Sequence, residues 1–203
     1  KLDSKQFSSI PSRKFRIRGI KVRIPAAGSS TQSGTYSQTG NRVTVQSTSH
    51  GFVTGDSISF TPNAGATPAG TYTVLAGHSA DDLQFDVSPS QTVAGSPTCT
   101  IGGLPSVDTN TGRIIYPSNY IFNGTMGAAV WTTCPAMILL DLMTNKRYGF
   151  GTHIAPDQST DAKLYENIDL FSYFNASKFA NELVSDGTTS GEEARFSCNV
   201  NIQ

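Results

Sequence analysis

Leu83-Gln84-Phe85-Asp86-Val87 alternates apolar and polar side chains without a break. A period of two puts Leu83, Phe85 and Val87 on one face and Gln84 and Asp86 on the other, which is the pattern of a half-buried strand. Shorter runs of the same kind lie on either side: Val43-Thr44-Val45, Ile58-Ser59-Phe60, Tyr72-Thr73-Val74 and Cys99-Thr100-Ile101. Gly, Pro, Asn and Asp separate them, the residues that tight turns require. Short strands packed this closely predict a small all-β barrel or sandwich.

That span differs in composition from the rest of the chain. Between Gly40 and Gly103 there is no Lys and no Glu, and the charges are Arg42 against Asp56, Asp81, Asp82 and Asp86. The flanks, Gly28 to Gly40 and Gly102 to Thr111, are rich in Ser, Thr and Gly and read as linkers. The expectation is a small β domain over 40–103 inserted into a discontinuous host domain made of 1–39 and 104–203.

On the N-terminal side of the insertion stands Lys14-Phe15-Arg16-Ile17-Arg18-Gly19-Ile20-Lys21-Val22-Arg23-Ile24, closed by Pro25. Its apolar alternation slips by one residue at Gly19, where a bulge would restore the facing. The polar face is basic, and Arg16, Arg18, Lys21 and Arg23 are candidates for contact with acidic groups of a neighbouring subunit. On the C-terminal side, Arg113-Ile114-Ile115-Tyr116 reads as a strand and two helices are expected after it. In the first, Thr132 or Thr133 caps, Pro135 opens, and Lys146 and Arg147 close before Gly149. The second carries Tyr173, Ala176, Phe179, Ala180, Leu183 and Val184 at helical spacing, with Gly187 as its stop. Phe196, Cys198, Val200 and Ile202 alternate as a last strand. The fold class is therefore α+β, mostly β.

The chain has 203 residues, a formal net charge of zero and 15% charged residues against a usual figure of about 25%. That length suits one or two domains, and the low charge excludes a polyelectrolyte tail. Cys99, Cys134 and Cys198 are odd in number and form no CxxC pair, so each reads as a small buried hydrophobe. No apolar run approaches the roughly 18 residues of a membrane helix, and no stable membrane anchor is expected. A start at Lys1 and a stop on an alternating run suggest a piece of a longer polypeptide.

Chemistry is sparsely signalled. His50, His78 and His153 share no metal-ligand spacing with one another or with the cysteines. There is no G-x-S-x-G elbow, and Asp81-Asp82 and Glu192-Glu193 sit in polar loops rather than across a cleft. No catalytic residue, cofactor or metal is nominated. The basic strand lacks the aromatic interleaving of a nucleic-acid surface, so no specific nucleic-acid binding is expected. Within the insertion, Phe52 and Tyr72 are candidates for a ligand-stacking platform.

Several segments carry a resemblance. Phe15 to Pro25, Leu140-Asp141-Leu142-Met143-Thr144-Asn145-Lys146-Arg147-Tyr148-Gly149-Phe150-Gly151, Leu183 to Gly187 and Gly191 to Asn199 occur in the order found in the central tail-tip attachment proteins of lambda-like siphophages, and the chain resembles that family. The string D-x-x-T-N-K-R-Y-G-x-G, Asp141 to Gly151, is the most specific of them. The inserted unit is similar to small β-modules of phage tail and fibre proteins. The resemblance implies a tail-hub-type β domain in a structural virion protein at the tail tip, assembled in the host cytoplasm. It also implies a homotrimer contacting the distal tail protein, the tape-measure protein and other tail-tip proteins, with a host surface receptor reached by other parts of the full protein. It transfers no catalytic residues, and the expectation is that the chain is not an enzyme. A carbohydrate- or protein-binding β module of a virion adhesin is the alternative.

Overall fold

A computed structural model describes residues 21–26 and 31–198. The strands are β1 (Val22–Pro25), β2 (Thr31–Gln46), β3 (Ser57–Pro62), β4 (Gly70–Thr73), β5 (Asp82–Val93), β6 (Thr98–Leu104), β7 (Ser106–Val107), β8 (Ile114–Ile115), β9 (Met126–Val130), β10 (Leu183–Ser185) and β11 (Glu192–Ala194). The helices are α1 (Pro135–Thr144), α2 (Gly151–Ile154), α3 (Asp161–Leu164) and α4 (Leu170–Ala180). The architecture is α+β and mostly β, with two single-turn helices, α2 and α3, beyond the pair that the sequence signals.

An antiparallel five-stranded sheet, ordered β4-β3-β6-β2-β5, is nearly closed. Leu75 N–H donates to the Gln84 carbonyl at 2.8 Å across the gap, and the Tyr72 and Phe85 rings stack at 4.5 Å. The alternation read from Leu83 to Val87 is the observed one, with Leu83, Phe85 and Val87 inward. Strand β2 turns Tyr36 and Gln38 inward, slips at Gly40, then turns Val43 and Val45 inward. Gly40 takes φ 62, a left-handed value that glycine adopts without a Cβ clash, and the bulge there keeps both halves of the strand facing the core. Each large side chain fully buried here contributes roughly 1.5–3 kcal/mol relative to its exposed state.

Thr31 to Gly40, expected to be linker, is strand. Its residues pair with β6 in the register Thr31↔Gly102 to Thr35↔Thr98, so backbone hydrogen bonding overrides the Ser/Thr/Gly composition. The second expected linker is also structured. Strands β7 and β8 pair around a turn in which Asp108 Oδ1 accepts the N–H groups of Asn110 (2.8 Å) and Thr111 (3.0 Å).

A second apolar cluster gathers Val22, Ile24, Ile114, Tyr120, Phe122, Met126, Met137, Leu140, Phe174 and Ala180, joining β1, β8, β9, α1 and α4. Strand β1 pairs antiparallel with β9 and ends at Pro25; the expected bulge at Gly19 lies outside the described residues. The turn at Pro117 to Asn119 meets the five-stranded sheet, where Asn119 Nδ2 donates to the His50 carbonyl at 2.6 Å.

The helix termini correct the sequence reading. Cys134 is the N-cap of α1, and the two threonines before it bond backward: Thr132 Oγ1 donates to the Gly112 carbonyl at 2.6 Å and Thr133 Oγ1 to that of Thr111 at 3.0 Å. They anchor the helix to the β7–β8 hairpin instead of capping it. Helix α1 ends at Thr144, ahead of Lys146 and Arg147. Helix α4 buries Phe174, Ser177 and Ala180, and Phe179 of the expected face is exposed. The difference arises because Ser177 is buried through hydrogen bonds with Tyr116 and Cys134, so a polar residue occupies the inward position. Leu183 and Val184 belong to the β10–β11 hairpin, and Gly187 serves its turn at φ 87. Phe196 and Cys198 lie outside any strand, and 199–203 lie outside the described residues. Cys99 and Cys134 are buried as expected, whereas Cys198 is exposed.

Candidate functional site

Of the basic candidates, Arg16 and Arg18 lie outside the described residues and Lys21 is exposed. Arg23 is engaged within the chain. From β1 its Nε donates to the Gly127 carbonyl at 3.0 Å, its Nη2 to that of Met126 at 2.7 Å, and both Nη atoms to the Asp161 carboxylate at 2.7 Å. The guanidinium also lies 5.9 Å from the Tyr165 ring centroid. The hydrogen bond to Asp161 raises the Arg23 pKa, and the same bond lowers that of Asp161. A planar fork bonded in this way ties β1 to α3 within the chain.

Phe52 and Tyr72 do not form a platform. Phe52 is 2% exposed, stacked against the His50 ring in the sheet core. Tyr72 packs its ring on Phe85 and donates its hydroxyl to the Pro68 carbonyl at 3.0 Å. A short apolar run leaves the inward or outward sense of a lone aromatic undetermined. Here Phe52, from the loop between β2 and β3, is buried in the core and Tyr72 is half-buried against it.

The histidines separate in a similar way. His50 is buried, its Nδ1 accepting the Phe52 N–H at 3.0 Å and its Nε2 facing the Ser79 and Asp82 carbonyls at 3.0 Å each. That arrangement fixes the Nε2–H tautomer and makes the ring a clamp between two loops. His78 lies 6.0 Å away, edge-on, and His153 is exposed on α2. Asp56 is buried beside this corner; burial pushes its carboxyl pKa up, against the N–H bond it accepts from Val53 at 3.0 Å. Among the described residues, no group of three or more His, Cys, Asp or Glu is arranged to hold a metal ion.

The Asp141 to Gly151 string forms a compact scaffold. Thr144 Oγ1 donates to the Leu140 carbonyl at 2.9 Å, and Asn145 Oδ1 accepts the Arg147 N–H at 2.9 Å. The Asn145 carbonyl then accepts the N–H groups of Gly149 and Gly151, each at 3.1 Å, and the Leu142 carbonyl accepts that of Phe150 at 2.8 Å. The loop therefore folds back on the end of α1 and satisfies carbonyls that a helix terminus leaves open. A Cβ on Gly149 would collide with the Leu142 carbonyl oxygen and one on Gly151 with that of Thr144, so close approach excludes a side chain at both places. Tyr148 donates its hydroxyl to Asp141; burial and then that bond push the Tyr148 pKa up to about 12.

This scaffold holds apolar side chains outward. Phe150 is 60% exposed and Leu139 51%, with Leu142 and Tyr148 also exposed. Surface hydrophobics on a rigid support suit a protein contact. The sequence does carry the signal, because α1 reads PAMILLDLMT, with apolar residues on nearly every side. A helix of that kind needs partners all round.

No protein-family model matches the chain, and no solved structure matches it. Over 96 residues, 43% of this chain, it is 36% identical to the tip attachment protein J of Escherichia phage SECphi27. The matched part spans 7% of that relative's length. The similarity relates this chain to phage tail proteins. Among the described residues, no helix is long and apolar enough to cross a membrane.

Proposed function

We propose that the chain is a structural segment of a bacteriophage tail tip, part of a central hub that closes the tail tube and links it to host attachment. The observation that carries this reading is the 36% identity over 96 residues to a tip attachment protein. The α1 scaffold supports it. Its glycines, Asn145 and Thr144 are used for backbone geometry, and the side chains it leaves outward are apolar, as suits assembly more than turnover. In this account the chain is not an enzyme. It acts as a homotrimer in the virion and meets other tail proteins, among them the distal tail and tape-measure proteins. The receptor is met by other parts of the full polypeptide.

A nonsense mutation within this reading frame tests the proposal genetically. In a non-suppressing host it should yield heads without functional tails. Normal plaque-forming particles would overturn the reading.

A further inference from the structure

A groove of about 590 Å3 runs between β8, α4 and β10, with Ile114, Phe179 and Leu183 among its apolar lining. Phe179 is 53% exposed and Leu183 41%, and the Phe196 ring lies 6.0 Å from that of Phe179. The groove carries two cationic side chains, Arg113 and Lys178. Arg113 Nη1 donates to the Asn181 carbonyl at 3.2 Å, which holds the guanidinium at the rim, and Lys178 is exposed on α4.

The acidic groups nearby are occupied. Glu182 pairs with Arg195 at 2.9 Å, and the Arg195 guanidinium lies 4.5 Å over the Phe179 ring. Asp108 lies near enough to Arg113 for the two charges to attract without forming an ion pair, and its Oδ1 accepts the N–H groups of Asn110 and Thr111. Among the described residues, no ion pair joins Arg113 or Lys178 to a carboxylate. The result is an apolar floor flanked by Lys178, which makes no ion pair among the described residues, and by Arg113 at the rim, while the groove's own carboxylate, Glu182, is paired with Arg195. A large exposed aromatic with Arg beside it is also the composition of interface anchor points.

We infer that this groove docks an acidic amphipathic segment of a partner protein. An apolar side chain of that segment packs on Phe179 and Leu183, and flanking carboxylates meet Lys178 and Arg113. Charge complementarity selects the partner and speeds encounter, and burial on Phe179 supplies most of the affinity. A nucleic-acid backbone fits less well, because two cations over an apolar floor do not track a row of phosphates. The inference does not depend on the tail-tip reading.

The test is selection of a displayed random peptide library on the immobilised full chain. The expected pool is enriched in sequences that interleave Asp or Glu with Leu, Ile or Phe. Synthetic copies of the winners should bind Phe179→Ser roughly thirtyfold more weakly, the loss of a central anchor, and Lys178→Glu about tenfold more weakly. Both variants should keep a cooperative thermal melt, which separates lost binding from unfolding, although Phe179→Ser also gives up the ring contacts with Arg195 and Phe196. An empty selection, a pool without acidic enrichment, or winners that bind both variants as they bind the native chain would overturn the inference.

Discussion

Arg23 and Asp161 meet face to face, with both guanidinium Nη atoms 2.7 Å from the two carboxylate oxygens, across 138 positions of sequence. The pair fastens α3 to β1, and it sets a sign for the response to acid. The folded-state pKa of Asp161 lies below its ordinary 3.8, chiefly through the hydrogen bond from Arg23. Its stabilisation is therefore complete above that ordinary value and is lost as pH falls through the lower folded value.

Asp161→Asn should cost about 0.5–1 kcal/mol at neutral pH, the range for an exposed pair with good geometry. The difference between native and variant melts should shrink below the ordinary carboxylate pKa. A gap that widens on acidification would contradict the assignment.

Gln38 is buried in β2 with both ends of its amide engaged. Nε2 donates to the Gly40 carbonyl at 2.8 Å and the Pro89 carbonyl at 3.1 Å, and Oε1 accepts from Thr67 at 2.7 Å and Gln91 at 3.0 Å. Gln38→Ala strands those partners and should destabilise the sheet by about 2–3 kcal/mol. Denaturant unfolding measures it, and a loss well under 1 kcal/mol would show the network to be dispensable.

Gly151→Ala forces a methyl group against the Thr144 carbonyl oxygen. We expect a loss of about 2–4 kcal/mol, with the loop displaced from α1, readable in the melt and in amide exchange of Gly149 and Phe150. A neutral substitution would mean that the string Asp141 to Gly151 is not held as described.

The thiols should react in a fixed order. Cys198 is exposed, Cys99 and Cys134 are buried, and burial pushes the Cys99 thiol up to about 11. A thiol reagent at neutral pH should modify Cys198 in the folded chain and all the cysteines in denaturant. Rapid native labelling of Cys99 or Cys134 would contradict the packing.

Thr31 and Gly102 are cross-strand partners, so the ends of the five-stranded sheet lie side by side. The segment 31–104 has its own apolar cluster. Expressed alone, it should fold with a cooperative melt and retain strand circular dichroism. A disordered product would make the surrounding chain a requirement for the sheet.

The strands of the sheet were legible because Leu83 to Val87 and the shorter runs announce a period of two. Their true length was not, since Thr31 to Gly40 is polar and becomes strand only through pairing with β6. The α1 glycines stood out in the sequence, but their use did not. Nothing local says that Gly151 lies against Thr144. Arg23 read as a candidate for contact with another subunit because its partner within the chain, Asp161, is far away in sequence. Tyr72 shows the converse limit, since an isolated aromatic in a short strand does not declare which face it takes, and Phe52 lies in the loop between β2 and β3, where no alternation marks it as buried. The polar inward position at Ser177 misplaced the α4 face by concealing a hydrogen-bonded residue inside an apolar pattern.

A structural segment of a tail tip has a fixed place in the particle. Gold-labelled antibodies raised against the chain, applied to phage particles released by the cells that produce it and viewed by electron microscopy, show whether it takes that place. Label confined to the tail tip is the predicted result. Label on the head or along the tube, or particles that carry none and whose denatured proteins the antibody also fails to recognise, would contradict it.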